Sequence, residues 1–200
     1  MPKNSKFIYF DIGGVLMDYS KAMQKAADTH GINIDDFQKI YSKYGPAAER
    51  GDMTLQDVWK KYEDELGLEE DEHFDFLEYW TEHVVPIEEN HQILTELAKS
   101  HPVGILSNMY HGAFYKLLKK EKIPDVEYSR IVQSHEIKLI KPQEEIYIIA
   151  QSISGFQPSD IIYIDDRKEF VSFAKTLGWN GIWYEKGNGV NLKTALAEHL

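Results

Sequence analysis

Hydrophobic residues gather along this chain in two kinds of run. Short, unalternated runs end abruptly at polar or glycine positions: Phe7 to Phe10, Val103 to Ser107, Ile161 to Asp165 and Gly181 to Glu185, with a weaker one from Arg130 to Ser134. Runs of this form predict strands covered on both faces of a parallel sheet. Between them the apolar positions recur at helical spacing. Ile87 to Ser100 carries Ile93, Leu94, Leu97 and Ala98 on one face. Gln143 to Ser152 carries Ile146, Ile149 and Ala150, and Glu169 to Leu177 carries Phe170, Phe173, Ala174 and Leu177. Strands alternating with helices predict βαβ units and an α/β, Rossmann-like doubly wound parallel sheet.

From about Tyr19 to Pro86 the alternation stops. No convincing strand occurs there, while Lys21 to Thr29, Asp35 to Tyr44, Thr54 to Leu66 and Glu72 to His83 all carry helical spacing. Thr54 with Asp57 has the form of a capping box, aspartate standing where Glu or Gln is more usual. The expected organisation is a core of residues 1–18 and 87–200, with residues 19–86 inserted as a helical cap. The aromatic group Phe74, Phe76, Tyr79 and Trp80 is expected to form the core of that cap. Gly187-Asn188-Gly189 follows a predicted strand without the rest of a dinucleotide fingerprint, and reads as a loop.

Composition narrows the classes. Two hundred residues, 42% of them hydrophobic and 12% aromatic, suffice for a buried core and argue against disorder. A formal charge of −11, from 33 acidic and 22 basic side chains, argues against a nucleic-acid partner. No apolar run approaches the roughly 18–20 residues of a membrane span, and MPKNSKFIYFD lacks the pattern of a signal peptide, so no membrane association is expected. The absence of cysteine removes disulfides, thiolate metal sites and cysteine nucleophiles together, and fits a cytoplasmic location. The eight histidines show no ligand spacing such as H-E-x-x-H.

In a doubly wound sheet, ligands bind at the carboxyl ends of the strands. Four groups of residues fall there: Asp11 with Gly13-Gly14, Ser107-Asn108, Lys141, and Asp165-Asp166. Each alone has a plain structural reading as turn, helix cap or solvated lysine. Together they are chemically coherent. A carboxylate can attack phosphorus to give an aspartyl-phosphate. A hydroxyl and backbone amides can hold phosphoryl oxygens, and a lysine supplies fixed positive charge. Further carboxylates can hold Mg²⁺, a hard ion that takes oxygen ligands.

In order and approximate spacing, F-D-I-G-G-V-L-M-D, L-S-N, K-P-x-x-x-I-Y and Y-I-D-D resemble the four motifs of the haloacid dehalogenase-like hydrolases. The resemblance covers nearly the whole chain, and the helical block is similar to that superfamily's C1-type cap. E-R-G-D-M-T, Glu49 to Thr54, is similar to a cap segment of a branch of small bacterial phosphatases that includes α-glucose-1-phosphate phosphatases. The resemblance implies Asp11 as nucleophile and metal ligand, and Ser107 with the Asn108 backbone as phosphoryl binders. Lys141 would neutralise charge on both nucleophile and phosphate. Asp166 would be the principal acidic ligand of Mg²⁺, Asp165 a supporting or alternative one, and Gly13 a ligand through its carbonyl. The implied substrate is a small phosphorylated metabolite, such as a hexose 1-phosphate.

Two positions depart from the family pattern. Most phosphatases of the superfamily carry aspartate two residues after the nucleophile as general acid and base, a contribution of about 10²–10⁴-fold; here that residue is Gly13. Asp18 is one candidate replacement, from the cap hinge. Four residues after the second aspartate of Y-I-D-D, where Asp or Asn is frequent, stands Phe170, with Glu169 beside it as a possible substitute ligand. Arg50 and Tyr44 are candidates to face the substrate from the cap. The alternatives are a 2-haloacid dehalogenase, in which the same aspartate attacks carbon without metal, and a phosphate-binding or regulatory homologue that lacks turnover. The Asp165-Asp166 pair counts against the first, because it would repel a carboxylate substrate; Gly13 sustains the second.

Overall fold

A computed structural model describes residues 5–185 and 192–200; the Gly187-Asn188-Gly189 segment lies outside them. Five strands, β1 (Phe7–Phe10), β4 (Val103–Ser107), β5 (Arg130–Gln133), β6 (Ile161–Asp165) and β7 (Asn180–Trp183), form one sheet in the order β5-β4-β1-β6-β7, with every pairing parallel. From β1 at the centre, the chain first builds outward through β4 and β5, then crosses to build β6 and β7 on the other side. The carboxyl end of β1 is therefore the switch point, flanked by those of β4 and β6.

The two-residue period of a strand divides its side chains between two layers. Ile8 and Phe10 of β1, and Ile162 and Ile164 of β6, enter the larger hydrophobic cluster. Phe7 and Tyr9, with Ile161 and Tyr163, enter the smaller one on the opposite face. Tyr9 stacks on Trp179, and its hydroxyl donates to the Ala150 carbonyl at 2.8 Å, so the ring is buried without leaving its oxygen unpaired. The smaller layer is closed by α8 (Glu144–Ser154) and α9 (Lys168–Thr176).

The larger layer continues without a break into four helices: α1 (Ser20–Thr29), α2 (Ile34–Glu49), α3 (Leu55–Leu66) and α4 (Phe76–His83). Their own core is aromatic, built from Phe37, Trp59, Tyr62 and Phe76, with Phe74 against Trp59. α3 begins on the expected capping box: the Thr54 hydroxyl accepts from the Asp57 amide at 3.0 Å, and the Asp57 carboxylate accepts from the Thr54 amide at 2.7 Å. α2 runs five residues beyond the expected Tyr44, through Gly45-Pro46 to Glu49. Pro46 lies inside this helix and forgoes one backbone hydrogen bond for want of an N–H, while the apolar face continues past it to Ala48.

The helices are joined to the sheet by a short antiparallel pair, β2 (Met17–Asp18) and β3 (Val85–Pro86), in a stretch where the sequence shows no strand pattern. Two residues are too few to carry an alternation. The loop preceding β2 is pinned from α5 (Glu88–Leu97): Asn90 Nδ2 donates to the Val15 carbonyl at 2.7 Å, and His91 Nε2 to that of Leu16 at 2.8 Å. Helices α6 (Ala113–Lys119), α7 (Ser134–Ile137) and α10 (Leu192–Ala197) were not legible in the apolar spacing; each is seven residues or fewer. Ser134, read as the end of a strand, instead opens α7. Among the described residues no helix is long and apolar enough to cross a membrane.

Candidate active site

Asp11 follows β1 directly and is tied to the neighbouring strand, its amide donating to the Ile164 carbonyl at 2.9 Å. Asp165 ends β6 on the same side as Tyr163, two residues earlier. Between them lies the ammonium of Lys141, 3.0 Å from Asp11 Oδ1 and 2.6 Å from Asp165 Oδ2, with a further bond to the Leu106 carbonyl at 3.0 Å. Lys141 comes from the loop after α7, and its amide is fixed by Asn108 Oδ1 at 2.8 Å. One cation thus gathers residues from the ends of three strands.

Asp11, Asp165 and Asp166 each offer a carboxylate oxygen within 4.8 Å of the others. They are not equivalent. Asp165 is fully buried and saturated: Oδ2 accepts from Lys141 and from the Tyr163 hydroxyl, and Oδ1 from the Arg167 amide at 2.7 Å. Asp166 is half-buried and lines an adjoining cavity of about 140 Å³, as do Asp11, Gly13, Asn108 and Lys141. Asp11 Oδ1 is buried and faces the Lys141 ammonium at 3.0 Å, a cation it shares with Asp165. Ser107 is buried at the end of β4, with its hydroxyl toward the Asn108 carbonyl at 3.4 Å.

Crowded carboxylates in a dry site resist ionisation. Burial, and then the neighbouring Asp165, push Asp11 up to about 6, against the pull of Lys141 and the Ser107 hydroxyl. Burial, with Asp11 and Asp165, pushes Asp166 up to about 7. Burial alone would lower the Lys141 ammonium, but Asp11 and Asp165 reverse this and hold it above the ordinary lysine value. A cluster of three carboxylates with one lysine is short of positive charge. Its donors are all carboxylate oxygens close enough to share one ion, and this fits a hard divalent cation such as Mg²⁺.

The segment from Tyr19 through α4 contributes more to this cavity than its apolar spacing foretold. Tyr19, Tyr41, Glu49 and Trp80 line it, together with Tyr110, Arg167 and Phe170 from the core. Trp80, expected in the cap's own core, packs edge-on against Tyr110 and reaches the site. Glu49 lies at the end of α2, within the E-R-G-D-M-T segment. That end docks on the core: the Ser134 hydroxyl donates to the Glu49 carbonyl and Lys138 Nζ to that of Gly51. Gly51 has φ +76°, and a Cβ there would stand 2.8 Å from the His135 carbonyl, so only glycine permits this approach.

Other candidates are turned elsewhere. Arg50 pairs with Asp52 at 2.6 Å, and the Tyr44 hydroxyl donates to Glu65 at 2.5 Å; neither lines the cavity. Asp18 Oδ1 accepts from the Ser20 amide at 2.9 Å and hydroxyl at 2.6 Å, serving the start of α1. Glu169 is exposed and pairs with Arg167. The frequent Asp or Asn position is occupied by Phe170, whose ring lies 5.2 Å from Lys141 Nζ and under the Arg167 guanidinium at 4.4 Å.

A strand-end aspartate, a lysine shared with a second carboxylate and a carboxylate cluster thus stand together at the switch point of a parallel α/β sheet. A family model described as haloacid dehalogenase-like hydrolase matches residues 8–183, and the chain belongs to that family. Among curated proteins it is similar to the (S)-2-haloacid dehalogenase of Pseudomonas fluorescens, 23% identical over 94% of this chain and 87% of that one. Among solved structures it resembles a HAD family enzyme from Bacteroides thetaiotaomicron in complex with magnesium and inorganic phosphate (TM-score 0.75, 19% identity, 94% of this chain and 98% of that one). It also resembles the L-2-haloacid dehalogenase of Xanthobacter autotrophicus with chloropropionic acid covalently bound (TM-score 0.69, 19% identity, 97% and 88%).

Proposed function

We propose that the protein is a Mg²⁺-dependent phosphomonoester hydrolase acting on a small phosphorylated metabolite through an aspartyl-phosphate on Asp11. The observation that carries this reading is the crowding of Asp11, Asp165 and Asp166 around a single lysine, with two of the carboxyls pushed up to about 6 and about 7. A haloacid substrate would bring another carboxylate to a site already short of positive charge. A phosphate arriving with a divalent cation would not add to the deficit.

In this reading Asp11, Asp166 and the Gly13 carbonyl hold Mg²⁺, which supplies charge neutralisation between nucleophile and phosphate when bound. Asp165, with every oxygen engaged by protein donors, orients Lys141 instead. Lys141 and Arg167 add positive charge to the cavity wall, and Ser107 and the Asn108 backbone bind phosphoryl oxygens. Asp11 attacks phosphorus in line, the alcohol leaves, and water then releases phosphate. Residues 19–86 form the cap, whose Tyr19, Tyr41 and Trp80 exclude solvent and contact the organic part. Hexose 1-phosphates head the substrates to test, on the branch resemblance.

The decisive experiment is phosphate release from sugar phosphates, nucleotides and phosphorylated acids with Mg²⁺ or with EDTA, for the wild type and Asp11→Asn. Turnover that needs both Mg²⁺ and Asp11 supports the reading; an Asp11→Asn protein with full Mg²⁺-dependent activity overturns it. The similarity to (S)-2-haloacid dehalogenases favours a second reading, attack of Asp11 on carbon. Halide release from 2-haloacids that persists in EDTA establishes that one instead.

A further inference from the structure

The usual acid–base carboxylate has no counterpart at Gly13, and the Tyr19 ring stands against the glycine. A Cβ on Gly13 would stand 3.3 Å from the Tyr19 ring, which covers the glycine. The cavity nevertheless has a third carboxyl besides Asp11 and Asp166. Glu49 reaches it from the cap, placed by the docking of the α2 end on α7. Its Oε1 accepts from the Tyr41 hydroxyl at 3.2 Å and its Oε2 from Asn108 Nδ2 at 3.3 Å. Both donors are neutral and both bonds long. Among the described residues no lysine or arginine forms an ion pair with Glu49.

We propose that Glu49 is the proton donor to the leaving group, and the acceptor from the attacking water, in place of the carboxylate that Gly13 lacks. The proposal rests on the phosphatase reading above. Other carboxyls near the site are committed: Asp11 to phosphorus, Asp166 to the cation, Asp165 to three protein donors, Asp18 to Ser20 and Glu169 to Arg167. Tyr19 also faces the cavity, but burial and the nearby Asp166 and Asp11 push its phenol up to about 12, where it cannot accept a proton from water near neutrality. Glu49 is suited to both steps. Burial raises its carboxyl above the ordinary value, while Tyr41, Lys141, Arg167 and Asn108 pull the other way and keep the carboxylate accessible. Tyr110 completes the groups around it, with its hydroxyl against that of Tyr41.

The protons balance. As the Asp11 oxygen bonds to phosphorus and the ester P–O bond breaks, the Glu49 O–H proton passes to the departing oxygen and a neutral alcohol leaves. The resulting Glu49 carboxylate takes a proton from the water that attacks the aspartyl-phosphate. Hydrogen phosphate leaves, Asp11 is again a carboxylate and Glu49 again an acid.

The test compares kcat/KM of wild type and Glu49→Gln, with Mg²⁺, on p-nitrophenyl phosphate and on a simple alkyl phosphate. The aryl leaving group departs as a stable anion, whereas the alkoxide needs the proton. Expected for Glu49→Gln is a loss of about 10²–10⁴-fold on the alkyl ester and under about 10-fold on the aryl ester. The alkaline limb of the alkyl pH profile, present in the wild type, should disappear in the variant. Retained aryl turnover shows the variant to be folded. An equal loss on both esters, no loss on either, or a wild type active on the aryl ester alone overturns the role of Glu49. A wild type inactive on both esters and on the wider phosphomonoester panel overturns the phosphatase reading itself.

Discussion

Gly14 and Asp166 occupy one space: a Cβ on Gly14 would lie 2.1 Å from Asp166 Oδ2 and 2.3 Å from its Cγ. The Gly14 backbone, with φ +73° and its amide donating to the Met17 carbonyl at 2.8 Å, is the wall against which this carboxylate rests. Gly14→Ala must therefore both strain the backbone and displace Asp166. The expected result is a loss of Mg²⁺ affinity and of turnover by at least 10-fold, comparable with loss of a ligand-orienting group, while the sheet persists. Titrating activity against Mg²⁺ distinguishes this from general damage, since saturating metal should recover part of the rate.

Lys141 is the sole cation bonded to Asp11 and Asp165 among the described residues, and its side chain is buried. Lys141→Met keeps the length and removes the charge. Two buried carboxylates then face each other uncompensated, a change that costs about 3–5 kcal/mol of stability. Chemical denaturation in EDTA should show the loss at pH 8 and a smaller one at pH 5, where protonation relieves the repulsion. Equal losses at both pH values would contradict the electrostatic account.

Asp11 carries a stability cost that its chemistry requires. Its folded value, about 6, stands above the ordinary 3.8, so between those values the folded protein binds more protons than the unfolded chain. Metal-free stability must then fall as pH rises from about 4 to about 6, and stay low above that. Asp166, pushed up to about 7, extends the decline in the same direction. Asp11→Asn removes the first contribution. In EDTA at pH 8 the variant should be more stable than the wild type by about 1–3 kcal/mol, with no advantage at pH 4 and no phosphatase activity at any pH.

Periodicity carried the sheet, because strands buried on both faces must be continuous apolar runs and β1, β4 and β6 are. The residues placed at their ends converge, since a parallel sheet brings its carboxyl ends together whatever the intervening chain does. Tyr19, Tyr41 and Glu49 were illegible for the converse reason. Their approach depends on how four inserted helices dock, and that rests on single contacts such as Ser134 to the Glu49 carbonyl and the bare Gly51. Gly51, within E-R-G-D-M-T, is the one residue of that segment whose type marks the docking, and its partner His135 lies on α7, far along the chain. The family resemblance ranks Asp166 above Asp165, but the apolar spacing does not separate them, because adjacent residues differ only in which face the strand end turns inward.

Restoring a carboxylate at Gly13 probes the whole arrangement. Gly13→Asp introduces a Cβ 3.3 Å from Tyr19, and the ring, being partly exposed, can swing outward to admit it. In the otherwise wild-type protein the new acid duplicates Glu49 and adds negative charge to a crowded site, so kcat/KM on an alkyl phosphate should not rise. In the Glu49→Gln background the same substitution should recover activity by about 10-fold or more, because it then supplies the only proton donor. The two substitutions are thus expected to be strongly non-additive, and kcat/KM for the four proteins of the cycle measures the coupling. Purely additive effects would show that Gly13 and Glu49 do not share a task.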